Sequence, residues 1–198
     1  MNAPAPIDTA GADAAPLHDF VAALGGLVDR ADEAAILSEG SRRLADLVSR
    51  DGWLPAAYAA PDPSRYQQYL LHRDPANRFS VVSFVWAPGQ ATPVHDHRVW
   101  GMVGVLRGAE LVEDFARRDD GRLFRVGSLR TLAAGEVESF SPATGDIHRV
   151  ANAYDDRVSI SIHVYGADIG AVERATYDAD GTPKLFISGY AALPALIP

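Results

Sequence analysis

Cysteine is absent from all 198 residues. That excludes disulfides, zinc ribbons, iron–sulfur clusters and cysteine nucleophiles, and it fits a cytoplasmic address. Basic charge is also short, with 18 Lys and Arg against 26 Asp and Glu, a formal net charge of −8. Such a balance does not favour phosphate backbones, so no nucleic-acid partner is expected, and an acidic substrate needs a local positive site. No apolar run approaches the roughly 20 residues of a membrane-spanning helix, so no membrane partner is expected either. Met1 to Pro16 is rich in Ala and Pro and has neither the basic cluster nor the apolar stretch of a secretory signal. A flexible arm over residues 1–14 is expected, followed by one domain over 15–198 with a helical N-terminal segment.

Helical spacing comes first. Leu17, Phe20, Val21 and Leu24 recur on one face, with Gly25-Gly26 weakening the end. A second segment, 32–50, carries Ile36, Leu37, Leu44, Leu47 and Val48. From Tyr66 the texture changes to short β-like runs at 66–71, 79–87, 101–115, 137–140, 148–152 and 158–165, separated by Gly, Pro and Asp turns. Asp119-Asp120-Gly121 reads as a hairpin tip, and Leu193 to Ile197 as an apolar tail packed on the strands. Many short strands predict a mainly β sandwich or barrel with N-terminal helices, not a doubly wound α/β fold.

Three of the six histidines sit in a frame. On a strand, His95 and His97 share one face while Asp96 points to the other, so two imidazoles can chelate one ion from a rigid base. An isolated His-x-His on a strand is more often surface or core decoration. A third histidine, His148, lies in a second segment punctuated by Gly135, Pro142, Gly145 and Asn152. The two segments resemble the two cupin motifs, matching at Gly89, His95, His97, Gly108, Gly135, Pro142, Gly145, His148 and Asn152. Pro142 to Gly145 is one residue longer than the usual pattern. The resemblance implies a double-stranded β-helix (jelly-roll) barrel with a metal in its lumen. The carboxylate ligand that many cupins add is missing: Gly101 stands at that spacing, and Glu110 is too far along. Three neutral imidazoles leave an ion its full charge and open positions, which suits an anionic ligand. The same set also describes catalytic zinc. His18 and His72 are expected to be solvated.

The run 158–165 alternates strictly. Val158, Ile160, Ile162 and Val164 form one face; Ser159, Ser161, His163 and Tyr165 form the other. In a half-exposed strand the polar face is outside; in a barrel with a wet lumen it lines the site. In the second case Ser161, His163 and Tyr165 form a hydrogen-bonded relay. A serine hydrolase is disfavoured, because no third group orients the base and Gly-x-Ser-x-Gly is absent.

With these residues in hand, the chain resembles the cysteine dioxygenase family of cupin thiol dioxygenases, from about Tyr66 to Tyr177. His95, His97 and His148, the Ser161-x-His163-x-Tyr165 triad and the Tyr66-Gln67-Gln68 segment carry the resemblance. It implies one Fe(II) per chain on the three histidines, and addition of both atoms of dioxygen to a small thiol carboxylate to give the sulfinic acid. Tyr165, oriented by His163 and Ser161, would hydrogen-bond substrate or oxygen. The animal pattern has Arg where this chain has Gln68, and a tyrosine-crosslinked cysteine where this chain has Gly101. Both departures resemble the bacterial Gln-type branch, which favours 3-mercaptopropionate and grips its carboxylate with an Arg after the triad strand, here Arg174. The alternatives are cysteine as substrate and, more remotely, a non-oxidative metal cupin acting as isomerase, hydrolase or binding protein. Trp100 is expected in the pocket wall or the core. A monomer or small homo-oligomer is expected.

Overall fold

A computed structural model describes residues 13–198 of the chain. The arm expected over 1–14 therefore lies, for residues 1–12, outside the described residues. Helix α1 (Ala15–Val28) runs straight through Gly25-Gly26, because Leu24 and Leu27 on either side are buried and packing holds the turn that propensity weakens. Helix α2 (Glu33–Val48) starts at Asp32, whose carboxylate accepts a hydrogen bond from the Ala35 N–H at 2.9 Å.

Eleven strands follow among the described residues: β1 (Gln67–Arg73), β2 (Ser80–Trp86), β3 (Val94–His95), β4 (Gly101–Arg107), β5 (Ala109–Arg117), β6 (Leu123–Ala133), β7 (Val137–Phe140), β8 (Ile147–Asn152), β9 (Ser159–Tyr165), β10 (Arg174–Tyr177) and β11 (Pro183–Phe186). They form two antiparallel sheets, ordered β1-β2-β9-β4-β7 and β11-β10-β3-β8-β5-β6. This is the expected mainly β jelly roll with two helices in front. The expected single run 101–115 breaks at Gly108, whose φ of +76° turns the chain out of one sheet and into the other. Strand β6 escaped the sequence reading because it is an edge strand exposed along most of its length, so no buried face imposes alternation. The tail packs as expected: Ile197 is buried and its N–H donates to the Leu71 carbonyl at 2.9 Å.

The helices decide which way β9 faces. Leu17, Phe20, Leu24, Leu44 and Leu47 pack in one cluster with Ile160, Ile162 and Val164 on the outer face of the five-stranded sheet. That face is thus a core, and Ser159, Ser161, His163 and Tyr165 turn inward between the sheets, all buried. The wet-lumen alternative is the one the fold adopts.

Asn152 shows why the second motif ends in an amide. Its Nδ2 lies 2.8–3.2 Å from the carbonyls of Trp86, Ala87 and Arg157. Its Oδ1 accepts from the Ser159 hydroxyl at 2.8 Å and the Tyr154 N–H at 3.0 Å. One buried side chain therefore ties β8 of one sheet to β2 and β9 of the other. Asn152→Ala strands several buried groups at once and should lower the unfolding free energy by about 2–4 kcal/mol in denaturant titrations. A loss below about 1 kcal/mol would contradict this tie.

Candidate metal centre

Strand pairing builds the centre. His95 of β3 and His148 of β8 are directly opposed partners, and His97 follows two residues after His95. The candidate ligand nitrogens of His95, His97 and His148 all lie within 4.8 Å of one another, and all three residues are buried. The Nδ1 of His95 is 3.1 Å from the Pro93 carbonyl and that of His97 is 3.0 Å from the Asp146 carbonyl. A Nδ1–H donor in each leaves the Nε2 lone pair free for an ion, the usual arrangement around a bound metal. Burial holds all three rings neutral: His95 is pushed down to about 4, His97 and His148 well below the ordinary histidine range. Three convergent neutral imidazoles can hold one divalent ion.

Two carboxylates hold this frame without joining it. Asp96 points away from the other two, as alternation requires, and accepts from the Ala175 N–H at 2.8 Å and the Tyr177 hydroxyl at 2.7 Å. It thereby fastens β3 to β10, the strand that carries Arg174. Asp146 accepts from the N–H groups of His97 and Arg98 at 3.0 and 2.9 Å and fixes the turn after β3, where Arg98 takes a φ of +59°. Sequence reading did not single out Asp146, because only the β7–β8 turn brings it there.

A cavity of about 230 Å³ opens beside His95 and is lined by Gln68, Tyr66, Tyr165, Arg174 and Phe186 among others. It therefore unites His95 with all three residues expected to touch substrate. Arg174 is 4% exposed and donates to Ser188 at 2.8 Å, so a surface ion pair with Glu173 or Asp178 is not its role. Its Nε and the Gln68 Oε1 are buried with no hydrogen-bond partner among the described residues. Both residues line the cavity, so its wall includes polar side chains whose hydrogen bonding is incomplete.

Ser161, His163 and Tyr165 form the expected chain. The Ser161 Oγ is 2.8 Å from His163 Nε2, and His163 Nδ1 is 2.8 Å from the Tyr165 hydroxyl. Phe84 stacks on the His163 ring with centroids 4.0 Å apart, and the Trp86 indole N–H donates to Ser161 at 3.2 Å. Burial pushes His163 down to about 3 and Tyr165 well above the ordinary phenol range, so both are neutral.

Gly101 is required by packing: a Cβ there would lie 2.3 Å from Phe140 Cζ. The Phe140 ring fills that space and lies against His97, with centroids 4.2 Å apart. One expectation needs correction. His72 is buried in β1, not solvated, because β1 lies under the C-terminal tail. Trp100 takes the second of its two expected places, packing against the helix-side core and over Gly166. His18 is exposed as expected.

The model of the family described as cysteine dioxygenase type I matches residues 8–178. Among solved structures, a protein from Thermus thermophilus is 18% identical, with 57% of this chain and 92% of that one covered and a TM-score of 0.45. A cupin superfamily protein from Desulfitobacterium hafniense is 13% identical, with 63% and 88% covered and a TM-score of 0.43. At these levels neither likeness bears on function.

Removing a candidate ligand should be selective. His148→Ala should abolish tight binding of a divalent ion, read by metal analysis after gel filtration, while far-UV circular dichroism stays unchanged; full metal retention would refute the site. Glu110, fully buried in β5, gives a pH prediction. Burial raises its carboxyl to about 7, against a downward pull from nearby Ser161 and Trp86. The folded state then holds this proton more tightly than the unfolded chain. Its contribution to stability is full below about pH 4.5, declines as pH rises, and is gone above about pH 7, a loss on the order of 3 kcal/mol. Calorimetry should show Glu110→Gln gaining stability over wild type as pH rises from about 5 to 8. A pH-independent difference would contradict the buried carboxyl.

Proposed function

Because the chain belongs to the cysteine dioxygenase type I family, we propose that it is an Fe(II)-dependent thiol dioxygenase with 3-mercaptopropionate as preferred substrate. The cavity carries the reading: it joins His95 to a phenol and to a buried guanidinium with an unmet donor. Iron on His95, His97 and His148 would supply the redox chemistry that lets a thiolate and dioxygen react at one centre. The electrons that reduce dioxygen come from the sulfur, and both oxygen atoms enter the sulfinic acid, so no other reductant is needed.

The protein's own groups bind and orient. Arg174, held between Ser188 and the face of Phe186, presents a fixed cation to a carboxylate. Tyr165, neutral and held by His163, offers a hydroxyl to the cavity. Phe84, Phe186 and Pro93 supply apolar wall that excludes water from the reacting end. Among the described residues, no Asp or Glu lines the cavity. An α-ammonium group would enter without a counter-ion, which favours a thiol acid lacking the amine. Cysteine is the second reading, and the unpartnered Gln68 Oε1, which can accept from an ammonium, is the observation that favours it.

Oxygen uptake by the iron-loaded protein across 3-mercaptopropionate, cysteine and cysteamine tests both. The highest kcat/KM is expected for 3-mercaptopropionate. A clear preference for cysteine would select the second reading, and no uptake with any thiol would end the dioxygenase proposal in favour of a non-oxidative metal cupin. Arg174→Ala should raise KM for the two acids by about tenfold or more and change cysteamine little. Equal effects on all three would remove Arg174 from the carboxylate role.

A further inference from the structure

The hydroxyl that holds Arg174 does so from outside the cavity. The register of β10 on β11 pairs Arg174 with Phe186, and the guanidinium carbon lies 4.8 Å from the centroid of the Phe186 ring. Two residues further on, the Ser188 hydroxyl accepts from Arg174 Nη2 at 2.8 Å. Among the described residues, Ser188 does not line the cavity beside His95. It lines a second hollow of about 280 Å³, which shares Tyr66, Gln68 and Phe186 with that cavity but not Arg174. Ser188 therefore reaches Arg174 from the far side of a shared wall.

The backbone that carries Ser188 is anchored without its hydroxyl. Gly189, at a φ of +61°, turns the chain there, and its N–H donates to the Gly170 carbonyl at 3.1 Å. The Tyr190 hydroxyl donates to Asp168 at 2.5 Å and accepts from the Gly170 N–H at 3.0 Å. The Ala191 N–H donates to the Gln68 carbonyl at 2.8 Å. These bonds tie the segment to β1 and to the turn around Gly170, so the Ser188 side chain is spare for another task.

We propose that Ser188 is a positioning residue: it sets the rotation of the Arg174 guanidinium, and through it the affinity of the cavity for a carboxylate. The proposal rests on the thiol dioxygenase reading. Ser188 acts through Arg174 and does not touch the substrate.

Two different constraints act on the cation. The face of Phe186 attracts it and fixes where it sits, but not how its fork of donors is turned. A directional hydrogen bond to one nitrogen supplies the missing constraint. Of the five N–H donors of a guanidinium, Ser188 takes one, and the Nε–H is left buried with no hydrogen-bond partner among the described residues. Bidentate recognition of a carboxylate needs the fork aimed in advance, whereas an unheld arginine stem spreads over many rotamers. The partner's chemistry matters as well. A carboxylate in place of Ser188 would neutralise the cation and compete with the substrate, while a hydroxyl accepts one bond and leaves the positive charge whole.

Binding, turnover and a ligand-free spectrum test this together. With the iron-loaded full chain kept anaerobic, calorimetry should give Ser188→Ala a Kd for 3-mercaptopropionate about fivefold or more above wild type. Ser188→Thr, which keeps the hydroxyl, should stay within about twofold of wild type. In oxygen uptake, Ser188→Ala should raise KM for 3-mercaptopropionate by a comparable factor, with kcat and cysteamine turnover little changed. An unchanged Kd in Ser188→Ala, an equal loss for cysteamine, or failure of Ser188→Thr to retain binding would each overturn the proposal. Nuclear magnetic resonance of the ligand-free chain with nitrogen-labelled arginine separates the device from the reaction. The Arg174 side-chain signal, identified by its loss in Arg174→Lys, should show slow guanidinium rotation in wild type and fast rotation in Ser188→Ala. Identical rotation in both refutes the positioning role whatever the reaction. The expected change in rotation without oxygen uptake on any thiol supports the positioning role and refutes only the dioxygenase reading.

Discussion

Both faces of β9 are buried, each in a different kind of interior, and the rest of the structure depends on that. Strands with one wet face put their polar side chains in water. Here α1 and α2 cover the outer face with leucines and a phenylalanine, so Ile160, Ile162 and Val164 pack there and the polar residues turn inward. Burial without partners would be prohibitive for a serine, a histidine and a tyrosine. They meet the cost by bonding to one another along a single strand at two-residue spacing, with Trp86 closing one end. The helices, remote from the chemistry, thus decide that there is a polar lumen at all.

The second layer of organisation is a set of carboxylates that brace the site from outside. Asp96 sits between two candidate ligands yet faces the opposite way, and its bonds to β10 draw Arg174 to the cavity. Asp146 closes the turn after His97 from another strand's loop. Among the described residues, the cavity lining then contains no carboxylate. One neutral imidazole, a buried guanidinium and a neutral phenol line it, so its one formal charge is positive in a chain of net charge −8. On the proposed function, that contrast would let a small anion enter, with one fixed cation and not the overall field to hold it.

Space is allotted as strictly as charge. Gly101 has no side chain because Phe140 occupies its volume and packs on His97. Where a related pattern places a cysteine, this chain places an aromatic wall contributed by the neighbouring strand. The exchange is reciprocal, since neither residue can be altered alone without moving the ring that braces a candidate ligand. Glu110, opposite Asn152 on β8 and Leu132 on β6, is a further buried polar residue of the interior.

Much of this was legible in the residues alone. The period of β9, the His-x-His spacing and the second motif's punctuation are local patterns, and local patterns carry the strands and three candidate ligands because alternation is a property of the backbone itself. The strand-rich class, both helices and the turn at Asp119-Asp120-Gly121 followed from the same logic. Sequence left open which face of β9 is wet, since alternation has no sign until something covers one side. It also misplaced His72, and gave no signal for Asp146, whose partner His97 lies 49 residues away along the chain. Those are decided only by strand pairing and layer order, which bring distant residues into one small volume. Spacing along one strand is written in the sequence; what lies across from it is settled by the fold.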